Sequence, residues 1–180
     1  MLKKRNSICS KILRRYFSAQ NIGTTHAKAP RFAIVGAGPA GFYTAGPLLR
    51  EIPNLKVDFL DTQPVPFGLV RYGVAPDHPE VKNCIRHFEE TVEKSRDRVR
   101  FFGGVTLGEQ ISVDHLTAGY DAVIFACGAS GERSLDCPGA SDSGNVFSAR
   151  KFVGWYNGFP PNADLNPGTG VFQASLFMII

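Results

Sequence analysis

Five short apolar runs, each closed by glycine or by a change of period, organise the chain from residue 31 onward. The first, 31–35, ends in a glycine-rich hexapeptide, and 42–50 continues from that turn as a helix. Gly46 and Pro47 fall inside this helix; because proline removes a backbone donor and crowds the preceding turn, a kink or an early end is expected. A second strand over 56–60 carries Asp61 at its carboxyl end. The proline- and glycine-rich stretch 62–79 follows, and so long a loop in a compact domain is usually functional. Over 80–96 the apolar residues Val81, Ile85, Phe88 and Val92 recur at steps of three and four, which predicts one helix with those four side chains on its core face. Short strands are expected at 99–102 and 105–107, split by Gly103 and Gly104, and a buried one at 121–126, bounded by Cys127 and Gly128. A short helix over 149–156 precedes a linker over 158–170, where prolines and glycines cluster. The alternation of strand and helix predicts an α/β domain with a largely parallel sheet.

A chain of 180 residues with 43% hydrophobic and 20% charged content fits one cored domain with tails. The formal charge of +4 would suggest an anionic partner, but its distribution argues otherwise. Residues 1–30 contain Lys3, Lys4, Arg5, Lys11, Arg14, Arg15 and Lys28 and no acid, leaving 13 basic against 16 acidic residues in the rest. The basic character therefore belongs to a leader and not to a nucleic-acid surface. With Leu2, Ile8, Ile12, Leu13, Tyr16 and Phe17 spaced among hydroxyl residues, the leader has the composition of an amphipathic mitochondrial transit peptide. The run Arg15-Tyr16-Phe17-Ser18 resembles a matrix-protease cleavage site. Cys9, Cys84, Cys127 and Cys137 have neither C-x-x-C spacing nor a metal-ligand cluster, so free thiols in a reducing compartment and no metal are expected. The apolar ending 171–180 is too short for a membrane span.

Gly36-Ala37-Gly38-Pro39-Ala40-Gly41 is a G-x-G-x-x-G lying directly after a predicted strand and before a predicted helix, with an acid twenty residues beyond its last glycine. Gly36 permits the tight turn, Gly38 lets a pyrophosphate approach the backbone, and Gly41 lets helix and strand pack closely. Free amides at the helix start would face the phosphates. Asp61 is positioned to accept from ribose hydroxyls and would repel a 2′-phosphate, which favours FAD or NAD over NADP and leaves the choice between those two open.

The stretch 64–83, PVPFGLVRYGVAPDHPEVKN, resembles the loop after the second strand in adrenodoxin-type ferredoxin NADP reductases. VGAGPAGFYTA at 35–45, AVIFACGA at 122–129 and NVFSARKFVGWYNG at 145–158 are similar to the same family. Glutamate synthase small subunits share the glycine fingerprint but are less similar in the long loop. The resemblance implies an FAD-binding Rossmann-like domain at 31–158, between the leader at 1–30 and a linker with an atypical apolar tail at 159–180. By the same resemblance Gly36, Gly38, Ala40 and Gly41 would hold the FAD pyrophosphate and Asp61 the ribose. Leu69 would lie against the cofactor, Leu107 would meet the adenine through its strand backbone, and Gly128 would let the last strand end close by. Two departures stand out. The family usually has glutamate at Asp61, and it lacks the pair Gly46-Pro47.

The implied parent activity passes electrons from NADPH through FAD to an adrenodoxin-type iron-sulfur protein, in the mitochondrial matrix or against the inner membrane, by a monomeric enzyme. His78 falls in the loop that the family places near the flavin, although a loop histidine is more often structural, and Trp155 reads as a packing residue. No protein acid or base is required, so no catalytic residue is assigned. A second NADP-binding fingerprint is absent from the sequence, which leads to the expectation of a truncated chain, inactive alone. The alternatives are a non-enzymatic FAD- or NAD-binding module and a product that does not fold stably, to which the apolar ending SLFMII lends weight.

Overall fold

A computed structural model describes residues 29–75, 77–129, 131, 138 and 146–167. The leader, Cys9, Cys137 and the tail beyond 167 lie outside the described residues. Strands β1 (Arg31–Val35), β2 (Lys56–Asp61), β3 (Val99–Gly103) and β4 (Ala122–Phe125) form one sheet in the order β3-β2-β1-β4. Every pairing is parallel, with Ala33 opposite Asp58 and Asp58 opposite Arg100. The helices are α1 (Pro39–Glu51), α2 (Leu69–Tyr72), α3 (Pro79–Lys82), α4 (Cys84–Glu93), α5 (Val113–Gly119) and α6 (Ala149–Tyr156), with a 3-10 turn at Pro160–Asn162. The α/β architecture with a parallel sheet is the expected one. Among the described residues no helix is long and apolar enough to cross a membrane.

The two faces of the sheet are covered unequally. On one face Phe32, Ile34, Val57 and Phe59 are buried with Phe42, Ala45, Leu48 and Leu49 of α1 and Phe88 of α4. Phe42 is the hub, with ring centroids 4.5 Å from Phe59, 5.0 Å from Phe88 and 5.1 Å from Phe67. The other face buries Ala33, Val35, Leu60 and Leu116 and has α5 as its helix. Phe125, on edge strand β4, stays 55% exposed, and Cys127 is exposed as well. The expectation of a buried final strand is therefore corrected: the strand order puts β4 at an edge.

Four other local expectations change. First, of the two outcomes expected at Pro47 the early end does not occur, for α1 runs on to Glu51; Pro47 is exposed, so the Tyr43 carbonyl that it leaves without a helical donor lies on the water side. Second, 80–96 is divided at Asn83, and Val81, on the separate α3, is exposed while Phe88 is buried. Third, 105–107 is not a strand: Gly104 and Gly108 take positive φ, and a single bridge joins Leu107 to Ile111 in a turn. Fourth, the linker begins as structure. Asn162 donates to the Lys151 carbonyl at 3.0 Å, fitting where any side chain at Gly154 would collide with it, and Phe159 packs on Tyr72 at 4.9 Å.

The amino end of the sheet holds a buried ion cluster. Asp58 is 1% exposed. Its Oδ2 accepts from Arg31 Nε at 2.9 Å and from Tyr120 Oη at 2.9 Å, while Arg100 donates Nε to Oδ1 and Nη2 to Oδ2, both at 2.8 Å. Arg31 Nη2 also lies 2.8 Å from Oδ2. Both carboxylate oxygens are thus hydrogen-bonded and the charge is paired, as burial requires. Burial, followed by the hydrogen bond to Asp58 and its charge, pushes the Tyr120 hydroxyl up to about 12.

Candidate functional site at the carboxyl edge of the sheet

The chain leaves the centre of the sheet at β1, moves outward through β2 and β3, and then returns to β4 on the other side of β1. In such sheets the crevice beyond the carboxyl ends, where the winding direction reverses, is the natural ligand site. The glycine turn 36–41 lies there, directly after β1.

The turn's glycines are required to different degrees. Gly36 has φ +105°, and a Cβ there would sit 2.4 Å from the Ala126 carbonyl oxygen. Gly41 would place a Cβ 2.3 Å from the Gly36 carbonyl oxygen, so α1 can approach β1 only with glycine at this position. A Cβ on Gly38 would meet nothing within 4 Å, so that side of the turn is open to a ligand. Pro39 opens α1 with no donor to lose, and no side chain caps the helix. The amides of Ala40 and Gly41 belong to the first turn, which has no intrahelical acceptor for them. Open space beside uncapped amides at the positive end of a helix suits a pyrophosphate.

Asp61 closes the turn from β2. Its Oδ2 accepts from the Ala37 amide at 2.7 Å and its Oδ1 from the Gln63 amide at 2.8 Å. The Gly36 amide bonds the Leu60 carbonyl at 2.7 Å, so the ends of β1 and β2 are held together at this point. Among the described residues no cation pairs with Asp61, which has acceptor positions left for hydroxyl donors.

Leu69 reaches the site through its neighbour. A Cβ on Gly68 would sit 3.4 Å from the Gly38 Cα, and Leu69 follows with its side chain 57% exposed. Gly128, φ +63°, stands two residues beyond Ala126, whose amide bonds the Val35 carbonyl at 2.7 Å. Leu107 is connected less directly. The Val105 amide bonds the Asp61 carbonyl at 2.9 Å, but Leu107 itself packs with the Leu60 and Leu116 cluster, and it lies in a turn instead of the expected strand. Gly36, Gly38, Ala40, Gly41 and Asp61 thus form one constellation, with Leu69 and Gly128 at its borders.

His78 is exposed, with Nδ1 3.0 Å from Glu80 Oε1; that hydrogen bond and the charges of Asp77 and Glu80 raise its pKa. Trp155 packs on Phe152 at 5.7 Å. Cys84 and Cys127 are free thiols. Two features escaped the sequence reading. One is Phe67, whose amide donates to the Ala37 carbonyl at 2.7 Å from a backbone at φ +85°. The other is the Asp58 cluster, for which a charged residue inside an apolar strand was the available signal.

Known proteins match this arrangement. The chain is 50% identical over 153 residues to the mitochondrial NADPH:adrenodoxin oxidoreductase of Bos taurus, covering 83% of this chain and 30% of that protein. Against the Homo sapiens protein of the same name it is 51% identical over 144 residues, 80% of this chain and 28% of the relative. The matched stretch is homologous to the NADPH:adrenodoxin oxidoreductases. Among solved structures, Mycobacterium tuberculosis FprA, an oxidoreductase studied with NADP+ and with NADPH, superposes with a TM-score of 0.70 at 43% identity, over 78% of this chain and 31% of that one. The chain therefore spans about 30% of the length of these oxidoreductases. No protein-family model matches it.

Proposed function

We propose that this chain is the FAD-binding portion of an NADPH-to-ferredoxin oxidoreductase, with the cofactor's pyrophosphate on the 36–41 turn and its ribose on Asp61. The carrying observation is the turn itself: open space over Gly38, uncapped amides at Ala40 and Gly41, and an uncompensated carboxylate at the end of β2, in a stretch half identical to known oxidoreductases. The Asp61 carboxylate, with no cation beside it among the described residues, suits ribose hydroxyls and opposes a 2′-phosphate, which supports FAD here and not NADP. Leu69, Leu107 and Gly128 would border the same cofactor.

A bound flavin takes up a hydride and releases electrons singly. The chain's own residues bind and orient: the turn fixes the phosphates, Asp61 fixes the ribose, and no side chain needs to move a proton. The donor would be NADPH, and the acceptor an adrenodoxin-type iron-sulfur protein. The basic, acid-free leader and the mitochondrial names of the relatives support an address in the mitochondrion, in the matrix or against the inner membrane. In this reading 1–30 is a transit peptide, 31–158 the flavin domain, 159–180 a linker and tail, and the protein a monomer.

Incubating the purified chain with FAD, followed by gel filtration and a visible absorption spectrum, tests the reading. Flavin absorbance travelling with the protein is the expected result, and a folded protein emerging colourless would overturn it. The chain spans about 30% of its relatives and carries a single G-x-G-x-x-G, which favours a second reading: an FAD- or NAD-binding module without turnover. Sustained NADPH-driven ferredoxin reduction by these 180 residues would rule that second reading out.

A further inference from the structure

Phe67 is an unusual residue to find at φ +85°, a region that β-carbon sterics leave mostly to glycine. Such a conformation persists only where its surroundings over-determine it. Here they do. The Phe67 ring is buried, 5.1 Å from Phe42 and 6.0 Å from Phe88, and the Arg71 guanidinium sits over it at 5.3 Å. Arg71 Nε in turn donates to the Pro66 carbonyl at 3.2 Å. The strained backbone sends the Phe67 amide to the Ala37 carbonyl, 2.7 Å away, and lays Gly68 against Gly38.

The consequence follows from peptide planarity. In a trans peptide the N–H points opposite to the C=O. Holding the Ala37 carbonyl toward Phe67 therefore aims the Gly38 N–H the other way, toward the open side of the turn. Asp61 holds the preceding peptide through the Ala37 N–H, but it does not touch the peptide between Ala37 and Gly38. Gly38 has no Cβ to resist a flip of that peptide, and a flip would turn a carbonyl oxygen toward an incoming phosphate.

We infer that Phe67 is a positioning residue for the cofactor: its buried ring holds the strained amide that keeps the Ala37–Gly38 peptide in the anion-accepting orientation before any ligand arrives. The inference rests on the flavin reading for the identity of the ligand only; the orientation of the peptide is a property of the cofactor-free chain. If the turn is competent for only a tenth of the time, apparent affinity falls tenfold.

The test compares Phe67→Ala and Phe67→Gly with Ile52→Ala in the full chain. Phe67→Gly removes the backbone strain together with the ring, whereas Ile52→Ala opens the same core at the far end of α1 from the turn. Two readouts are taken on folded protein: FAD affinity by quenching of flavin fluorescence, and microsecond-to-millisecond exchange broadening of the Gly38 amide in the cofactor-free chain. Both Phe67 variants should bind FAD about tenfold more weakly or worse and broaden Gly38, while Ile52→Ala leaves both readouts at the parent values. Parent-like Gly38 exchange in both Phe67 variants overturns the inference, whatever the FAD result. Failure of the parent to bind FAD, with Gly38 broadened only in the Phe67 variants, overturns the flavin reading and leaves the positioning role supported. Should Phe67→Ala prove insoluble, Phe67→Leu, which keeps the volume and loses the ring, answers the same question.

Discussion

Two aspartates three residues apart on β2 are used in opposite ways. Asp58 is buried and held by two arginines and a tyrosine, while Asp61 accepts from two backbone amides and has no cation beside it among the described residues. One ties three strands and α5 together; the other keeps a charge available at the ligand edge. A buried carboxylate paired with fixed side chains has nothing to offer a ligand, whereas one steadied by amides alone is both positioned and still receptive. The amino end of the sheet is thus a structural clamp, and the carboxyl end a site.

The sharpest way to break the contrast is at the turn itself. Gly36→Ala would need φ +105° and place a Cβ 2.4 Å from the Ala126 oxygen. We expect a loss of about 4 kcal/mol in urea unfolding and no retention of FAD. Next, Asp58→Asn leaves the two arginines facing a neutral amide. Because both guanidiniums reach water, it should lower stability by about 2 kcal/mol, and the folded fraction should bind FAD as the parent does. Asp61→Asn should invert that pattern, with a stability loss of only about 1 kcal/mol but a fall in FAD affinity of about tenfold, the value of one hydrogen bond to a charged group. An Asp58 variant that folds yet loses FAD, or an Asp61 variant that keeps it, would erase the distinction.

The smallest effect is a pH dependence at the clamp. The Tyr120 hydroxyl titrates near 10 when unfolded and is raised to about 12 in the fold. Its contribution is therefore fully present below pH 10 and is lost as pH rises from 10 toward 12, because the unfolded chain releases the proton first. Thermal unfolding followed across that window should show the decline in the parent and a shallower one in Tyr120→Phe.

The carboxyl edge was readable from the sequence because its parts are local. Strand, glycine turn, helix and the acid at the end of the next strand lie within thirty-one residues, and the positive φ of Gly36 and the contact of Gly41 with the Gly36 carbonyl arise within the turn itself. The clamp was not, because Arg31, Asp58, Arg100 and Tyr120 come together only once the strand order and register are known. The errors have the same origin. Val81 matched the helical period of Phe88 and Val92, but the break at Asn83 gave it another orientation. Pro47 was judged by its backbone alone, and its place on the water side made it tolerable. Val105 and Leu107 read as strand from their side chains, while the flanking glycines with positive φ turned the backbone instead. Phe67 left no trace in composition or period, since its role depends on one dihedral angle and one amide.

An amide chemical-shift map recorded as FAD is added to the isotope-labelled chain tests the division between the two ends most directly. The perturbed amides are expected to be those of Gly38, Ala40, Gly41, Gln63 and Gly128, with Arg31, Arg100 and Tyr120 unmoved. Shifts centred on Arg31, Arg100 and Tyr120, or none in the glycine turn at saturating FAD, would contradict it.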